Sequence, residues 1–196
     1  LMNQGKIQVY TGDGKGKTTA AIGLSIRALG AGKKVLFLQF MKSKEYSEHS
    51  VLENISKNFK LQTLGKPFFI ARKEDMNNEE YEKWKDECVF FEKGNPPAEY
   101  LEMINKGLKE LYKTLKSEEF DLIILDEVNV ALYFDLINKD EFIKNILNRN
   151  PGIELVLTGR KALPEIIEIA DLVTEMVEIK HYYNTQNLEA RKGIEN

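Results

Sequence analysis

The chain has 196 residues, 42% of them hydrophobic and 30% charged, with a formal net charge of −3. That profile predicts one globular unit over residues 1–196, and without a strongly basic run it gives no electrostatic reason to expect nucleic acid as a partner. The single cysteine, Cys88, excludes an internal disulfide and any cysteine-based zinc cluster. No apolar run approaches the ~18 residues of a spanning helix, and the N-terminal residues lack a signal-peptide pattern, so a cytoplasmic protein without membrane association is expected.

Apolar, β-branched runs alternate with helical patterns along the chain. "KIQVY" at 6–10 is the first strand, followed by a helix from about Lys17 to Leu29 with Gly30 and Gly32 as its stop. "KVLFLQF" at 34–40 and "FKLQTLG" at 59–65 are the next two strands. Two amphipathic helices then fill the middle of the chain. One places Tyr81, Trp84, Cys88 and Phe91 on a stripe, the other Leu101, Ile104, Leu108, Leu111 and Leu115. Both stripes read as faces packed on a sheet, with Cys88 a small buried hydrophobe rather than a nucleophile. In "FDLIILDE" at 120–127 the continuous "LIIL" suits a strand buried on both faces. Asn138 and Glu141 form a capping box ahead of "FIKNIL". "NPG" at 150–152 turns the chain into the strand "IELVLTG" at 153–159, and Pro164 suits the first turn of a helix. "LVTEMVEIK" at 172–180 is the sixth strand. Strands alternating with helices predict an α/β fold: a mainly parallel sheet of about six strands flanked by helices.

Between the first strand and the first helix the chain reads Thr11-Gly12-Asp13-Gly14-Lys15-Gly16-Lys17-Thr18-Thr19. Gly12, Gly14 and Gly16 let the backbone turn its N–H groups inward around phosphate oxygens, where side chains would block the approach. The helix that starts here adds its unsatisfied N–H groups and positive dipole end. Lys17 is placed to reach the outer phosphates and the Thr18 hydroxyl to ligate Mg²⁺ or Mn²⁺. An independent motif, "LIILDE", sets Asp126 and Glu127 at the C-terminal end of a strand. Open α/β sheets bind ligands at that edge, and acids there hold the metal that accompanies a nucleotide. The two motifs together predict a metal-dependent nucleotide site spanning Gly12 to Thr19, with Thr18 and Glu127 on the metal. Glu127 is also suited to orienting an attacking water or hydroxyl. On residue types alone, hydrolysis and phosphoryl transfer therefore stay open beside other group transfers.

Further motifs narrow the choice. "TGDGKGKTTAA" at 11–21, "QFMK" at 39–42, "LDE" at 125–127, "TGR" at 158–160, "IKH" at 179–181 and "ARKGIE" at 190–195 stand in one order and spacing. Together they resemble the P-loop-type ATP:corrinoid adenosyltransferases, whose own loop form carries the threonine found at Thr11. The resemblance covers nearly the whole chain and is weakest from about 42 to 97. It implies a RecA-like P-loop fold, with one strand between the loop strand and the "LDE" strand, and a homodimer. It implies transfer of the 5′-deoxyadenosyl group of ATP to the Co(I) of a reduced corrinoid, with release of tripolyphosphate. On that implication Lys15, Lys17, the loop N–H groups and the metal on Thr18 and Glu127 neutralise a leaving triphosphate, and Arg160 adds a bidentate phosphate contact. Lys17 and Glu127 are then the catalytic pair, and Gly12, Asp13, Gly14, Lys15, Gly16, Thr18 and Thr19 complete the ATP site. Co(I) has no proton to lose, so no general base is required. An external reductase or flavoprotein has to supply the electron.

The resemblance also places the corrinoid among the N-terminal segment and the loops after strands 2 and 3, where Lys42 and Tyr46 lie in one loop and Phe68, a corrin contact, in the other. Where the family carries an aromatic-Thr-Trp run, this chain has Phe68-Phe69-Ile70; where members carry a Trp and a Gly-Glu pair, it has "SKEYSEHS". His181 matches the family's Lys-His pair and reads as structural. Two other readings remain: a small P-loop kinase or ATPase, and a non-catalytic, nucleotide-dependent corrinoid carrier.

Overall fold

A computed structural model describes residues 4–43, 46–186, 188 and 190–194. Strand β1 (Ile7–Thr11) leads through the glycine-rich turn into helix α1 (Lys17–Gly30), which ends where Gly32 takes a positive φ of 76°. Strand β2 (Val35–Phe40), helix α2 (Ser47–Leu52) and strand β3 (Phe59–Leu64) follow. Then come strand β4 (Phe69–Arg72), helix α3 (Asn78–Trp84), strand β5 (Cys88–Phe91) and the long helix α4 (Ala98–Thr114). The remainder is β6 (Leu122–Asp126), α5 (Val128–Tyr133), α6 (Lys139–Leu147), β7 (Glu154–Thr158), α7 (Pro164–Ile169), β8 (Leu172–Glu175) and α8 (Tyr182–Gln186).

Six strands form one sheet in the order β3-β2-β6-β7-β1-β8, and each neighbouring pair is parallel. β7 therefore stands between the loop strand β1 and the acidic strand β6, as a RecA-like P-loop fold requires. β2 and β6 are buried at every position because both faces of the sheet are covered. Leu36, Leu38 and Phe40 join the core built with α4, α5 and α6. The alternating Val35 and Phe37 join a second core with Ala21 of α1 and Leu52 of α2. Local signals hold at the helix ends: Asn138 accepts from the Glu141 N–H, and Pro164 occupies the first turn of α7.

Two expectations need correction. The stripe Tyr81–Trp84–Cys88–Phe91 is not one helical face. α3 ends at Trp84, and Cys88–Phe91 is a strand paired in parallel with Phe69–Arg72 as a separate two-stranded sheet. Val89, Phe90 and Phe91 prefer an extended, half-buried surface, and the 3.6 spacing across the break is coincidental: Tyr81 is 39% exposed while Phe91 is 5%. The sixth strand is also shorter than 172–180. It stops at Glu175, because the next residue turns its backbone onto the glycine loop: the Met176 N–H donates to Thr11 O at 2.8 Å and Met176 O accepts from the Gly14 N–H at 2.7 Å.

Candidate active site

The C-terminal ends of β1, β2, β6 and β7 converge on one edge of the sheet, and each carries a residue singled out in the sequence. In the loop after β1, Gly12 and Gly16 hold positive φ of 92° and 116°, backbone that only glycine adopts without strain. Gly12 and Gly14 serve a second purpose invisible in the sequence. A Cβ at either would lie 2.4 or 2.7 Å from Met176 O, so the roof formed by residue 176 demands glycine as firmly as a ligand does. Lys17, the first residue of α1, is 7% exposed and folds its Nζ onto Gly12 O at 2.6 Å and Gly14 O at 2.7 Å. Burial, then the nearby Arg160 guanidinium, holds its pKa below the ordinary lysine range. Lys15 is exposed and reaches the C-terminal segment, with Nζ 3.0 Å from Ile194 O and 3.5 Å from the Tyr182 hydroxyl. Asp13 in the loop and Thr19 in the first turn of α1 are exposed.

Asp126, at the end of β6 and fully buried, is the centre of the cluster. Its Oδ1 accepts from the Thr18 hydroxyl at 2.9 Å and the Thr158 hydroxyl at 2.6 Å. Its Oδ2 accepts from Gln39 Nε2 at 3.0 Å and Lys42 Nζ at 3.1 Å. The carboxylate hydrogen-bonded to Thr18 is thus Asp126 rather than Glu127. Glu127 stands just beyond, in a left-handed conformation with φ 61°, its N–H donating to Thr158 Oγ1 at 3.0 Å. Burial and the adjacent Asp126 push its carboxyl pKa up, against the opposing charges of Lys42, Lys17 and Arg160. Burial alone would strip charge from Lys42, but Asp126 and Glu127 outweigh it and leave the ammonium's pKa above the usual value. Arg160 is exposed, one residue past the turn at Gly159.

Met41, Glu127 and Lys161 are non-glycine residues at positive φ, and they follow β2, β6 and β7 respectively. Such backbone costs of order 1–3 kcal/mol at each position and gathers where a site needs it. At Met41 the turn sends Lys42 back to Asp126. The next loop closes on it: Met41 N–H donates to Leu64 O at 2.8 Å, and a Cβ on Gly65 would meet the Lys42 carbonyl carbon at 2.3 Å.

Beside this cluster lies a cavity of about 520 Å³, lined by Met41, Tyr46, Ser47, Pro67, Phe68 and Phe69 and by Ala190 and Lys192 of the C-terminal segment, among others. Lys42 connects the two, since its Nζ also lies 5.1 Å from the centre of the Tyr46 ring. Phe68 packs edge-on against Tyr100, ring centres 5.6 Å apart. Tyr100 pins the loop by accepting from the Lys66 N–H at 3.3 Å and donating to Phe68 O at 3.1 Å. Ile70, at the family's tryptophan position, is 6% exposed and belongs to the core. The neighbouring Phe69, 58% exposed, is the second aromatic of the cavity wall. Lys44 and Glu45, the first three residues and Glu195 of the last motif lie outside the described residues.

Residues 3–196 match the family model described as ATP:corrinoid adenosyltransferase BtuR/CobO/CobP. The chain belongs to this family. It is 31% identical to a corrinoid adenosyltransferase of a Sinorhizobium species, over 98% of this chain and 80% of that protein. It is 30% identical to one from Salmonella typhimurium strain LT2 over 98% and 86%, and 28% identical to one from Escherichia coli strain K12 over the same shares. A solved KaiC-like protein from Pyrococcus horikoshii OT3 aligns over 88% of this chain and 73% of its own, at 18% identity and a TM-score of 0.41; that likeness is too loose to bear on function. Membership makes the chain a transferase with ATP and a corrinoid as its implied substrates. No helix among the described residues is long and apolar enough to cross a membrane.

Gln39 and Thr158 stand in the sequence only as members of "QFMK" and "TGR". Thr158 ends β7 and Gln39 is the last residue but one of β2, both at the ligand-binding edge, and the register pairs Gln39 with Asp126 directly. That position was the available signal for both.

Proposed function

We propose that the chain, acting as one unit over residues 1–196, transfers the 5′-deoxyadenosyl group of ATP to the cobalt of a reduced corrinoid. The observation that carries this reading is the direct connection, through Lys42 and Tyr46, of a phosphate-loop carboxylate cluster to an aromatic cavity in a member of this family. The electron pair of Co(I) forms the Co–C bond at C5′ as the C5′–O bond breaks, and tripolyphosphate leaves with that bond's electrons. Gly12 to Thr19 hold the phosphates. Lys17, Lys15 and Arg160 stabilise the charge that grows on the leaving group. Oxygen donors suit Mg²⁺ or Mn²⁺, which is held by one or two carboxylates together with substrate phosphates. Thr18, Asp126 and Glu127 are such donors, and the bound ion supplies further neutralisation of the triphosphate. Phe68 forms the corrinoid face of the cavity; Phe68→Ala is expected to lower turnover of the corrinoid several-fold while leaving ATP affinity unchanged, and equal losses in both would mark Phe68 as core alone.

The deciding experiment is the phosphorus product. Under anaerobic conditions, with Mg²⁺, adenosine-labelled ATP and chemically reduced corrinoid, tripolyphosphate is expected in step with a light-sensitive adduct carrying the label. A kinase or ATPase would give ADP whether or not corrinoid is present, and a carrier would leave ATP intact. Either result refutes the transfer. On this reading the chain works in the cytoplasm with an external reductase or flavoprotein, since Co(I) has to be supplied from outside the site.

We further infer a homodimer. Leu172 and Val173 on the edge strand β8 are 45% and 42% exposed, with Val177 and Ile179 exposed beyond them, an apolar edge suited to cover by a second copy. Sedimentation at micromolar concentration is expected to give twice the chain mass, and a monomer would refute it.

A further inference from the structure

His49 is one of two histidines in the chain and is 3% exposed on α2, outside every motif that defines the site. Its Nε2 lies 2.5 Å from Gln39 Oε1. Gln39 is fully buried, and its Nε2 lies 3.0 Å from Asp126 Oδ2. The directions of these bonds are fixed by chemistry. A carboxylate only accepts, so the amide nitrogen of Gln39 faces Asp126 and the amide oxygen faces His49, which must then carry its proton on Nε2. The other ring nitrogen, Nδ1, is buried with no partner among the described residues. Orphaned buried nitrogens are rare. Here the orphan accompanies the bond that, together with the Asp126 contact at the other end, holds the amide in a single orientation.

We propose that His49 is a positioning residue that acts through Gln39 to hold Asp126 toward the Thr18 hydroxyl. The helix that bears it begins at the cavity wall: Tyr46 caps α2 and Ser47 opens it, and both line the cavity. The His49 N–H also bonds Tyr46 O at 3.1 Å. The same residue, its backbone on one side and its imidazole on the other, therefore ties the position of the cavity wall to the carboxylate cluster. If α2 shifts, the Gln39 amide loses its anchor and Asp126 loses one of its four donors. The inference rests on the reading of Thr18 and Asp126 as metal-site residues, and its test separates the two.

Mn²⁺ is titrated, by electron paramagnetic resonance, into the protein with a non-hydrolysable ATP analogue, for wild type, His49→Leu and His49→Gln. Partners one shell outside a metal's ligands change its affinity about 10- to 100-fold; His49 is one bond further out, so His49→Leu is expected to weaken Mn²⁺ binding about 3- to 10-fold. His49→Gln, which can present an amide N–H to Gln39 Oε1, is expected to recover wild-type affinity within about twofold. A folded Leu variant that binds Mn²⁺ as tightly as wild type overturns the proposal, as does a Gln variant no better than the Leu variant. Failure of the wild-type protein itself to bind the metal with the analogue overturns the metal reading and the proposal with it. Nitrogen-15 spectra of the imidazoles, with His181 removed to assign the signals, test the bond without any metal. An Nε2–H signal for His49 is expected, and an Nδ1–H tautomer overturns the proposal even if the Leu variant fails to fold.

Discussion

Lys17→Ala is expected to remove nearly all adenosyl transfer, with turnover falling by roughly 10² to 10³, while the protein keeps its melting transition. The two effects separate because of what the side chain touches. Among the described residues Lys17 Nζ bonds to the carbonyls of Gly12 and Gly14 in its own loop, and its charge is opposed by burial and by Arg160. Removing it takes away no core packing, so the stability change is expected within about 1 kcal/mol. The ammonium is instead placed to exchange those carbonyls for phosphate oxygens. Lys17→Arg is expected to fail almost as badly, because the bulky planar guanidinium does not fit where a compact point charge is enclosed by the loop. Calorimetric titration with ATP, run beside turnover and thermal melts, checks all three statements. A well-folded Ala variant with unchanged ATP affinity and turnover would mean that the loop is not the nucleotide site.

The phosphate loop and the sheet were legible because their signals are local and redundant. β1, the glycines and α1 name one another in sequence, and β2 and β6 are apolar enough to be buried on both faces whatever packs on them. The stretch from 69 to 91 was not legible, since its pairing is decided by tertiary contact. Cys88-Val-Phe-Phe fits a helical stripe or a strand equally well until Phe69–Arg72 lies beside it. The site divides in the same way. Lys17, Thr18 and the paired acids announce their chemistry by type and position. Which acid meets Thr18, however, depends on the β6–β2 register and on Thr158 from a third strand, and no spacing along the chain encodes that. Ile70, where the family pattern has a tryptophan, is core, and its strand neighbour Phe69 is the exposed one, since successive strand residues face opposite sides.

Asp126→Asn is expected to be the most damaging conservative change in the protein, because one carboxylate does two jobs. It closes four hydrogen bonds, from α1, β2, β7 and the loop after β2, and it neutralises Lys42, whose side chain is only 15% exposed. The shape of asparagine fits, and its amide nitrogen can turn toward the Thr18 and Thr158 hydroxyls, which rotate to accept. The charge is what cannot be replaced. Lys42 would keep only Glu127 as a counter-ion, and stranding a partly buried ammonium is expected to cost about 2–3 kcal/mol of stability. Nucleotide-dependent metal affinity and turnover should fall together, by about 100-fold in turnover. A second substitution separates the two jobs. Lys42→Met in the Asn background removes the stranded charge, so stability is expected to return while metal affinity does not, giving a coupling energy in the double-mutant cycle that appears in the melts alone. Glu127→Gln, which leaves the four-donor hub intact, is the comparison that ranks the acids. If it costs more metal affinity than Asp126→Asn, then Asp126 is scaffolding and Glu127 the principal metal carboxylate. If Asp126→Asn weakens binding more, the hydroxyl–carboxylate pair joining α1 to β6 is where the metal sits, and Glu127 acts on it from beyond.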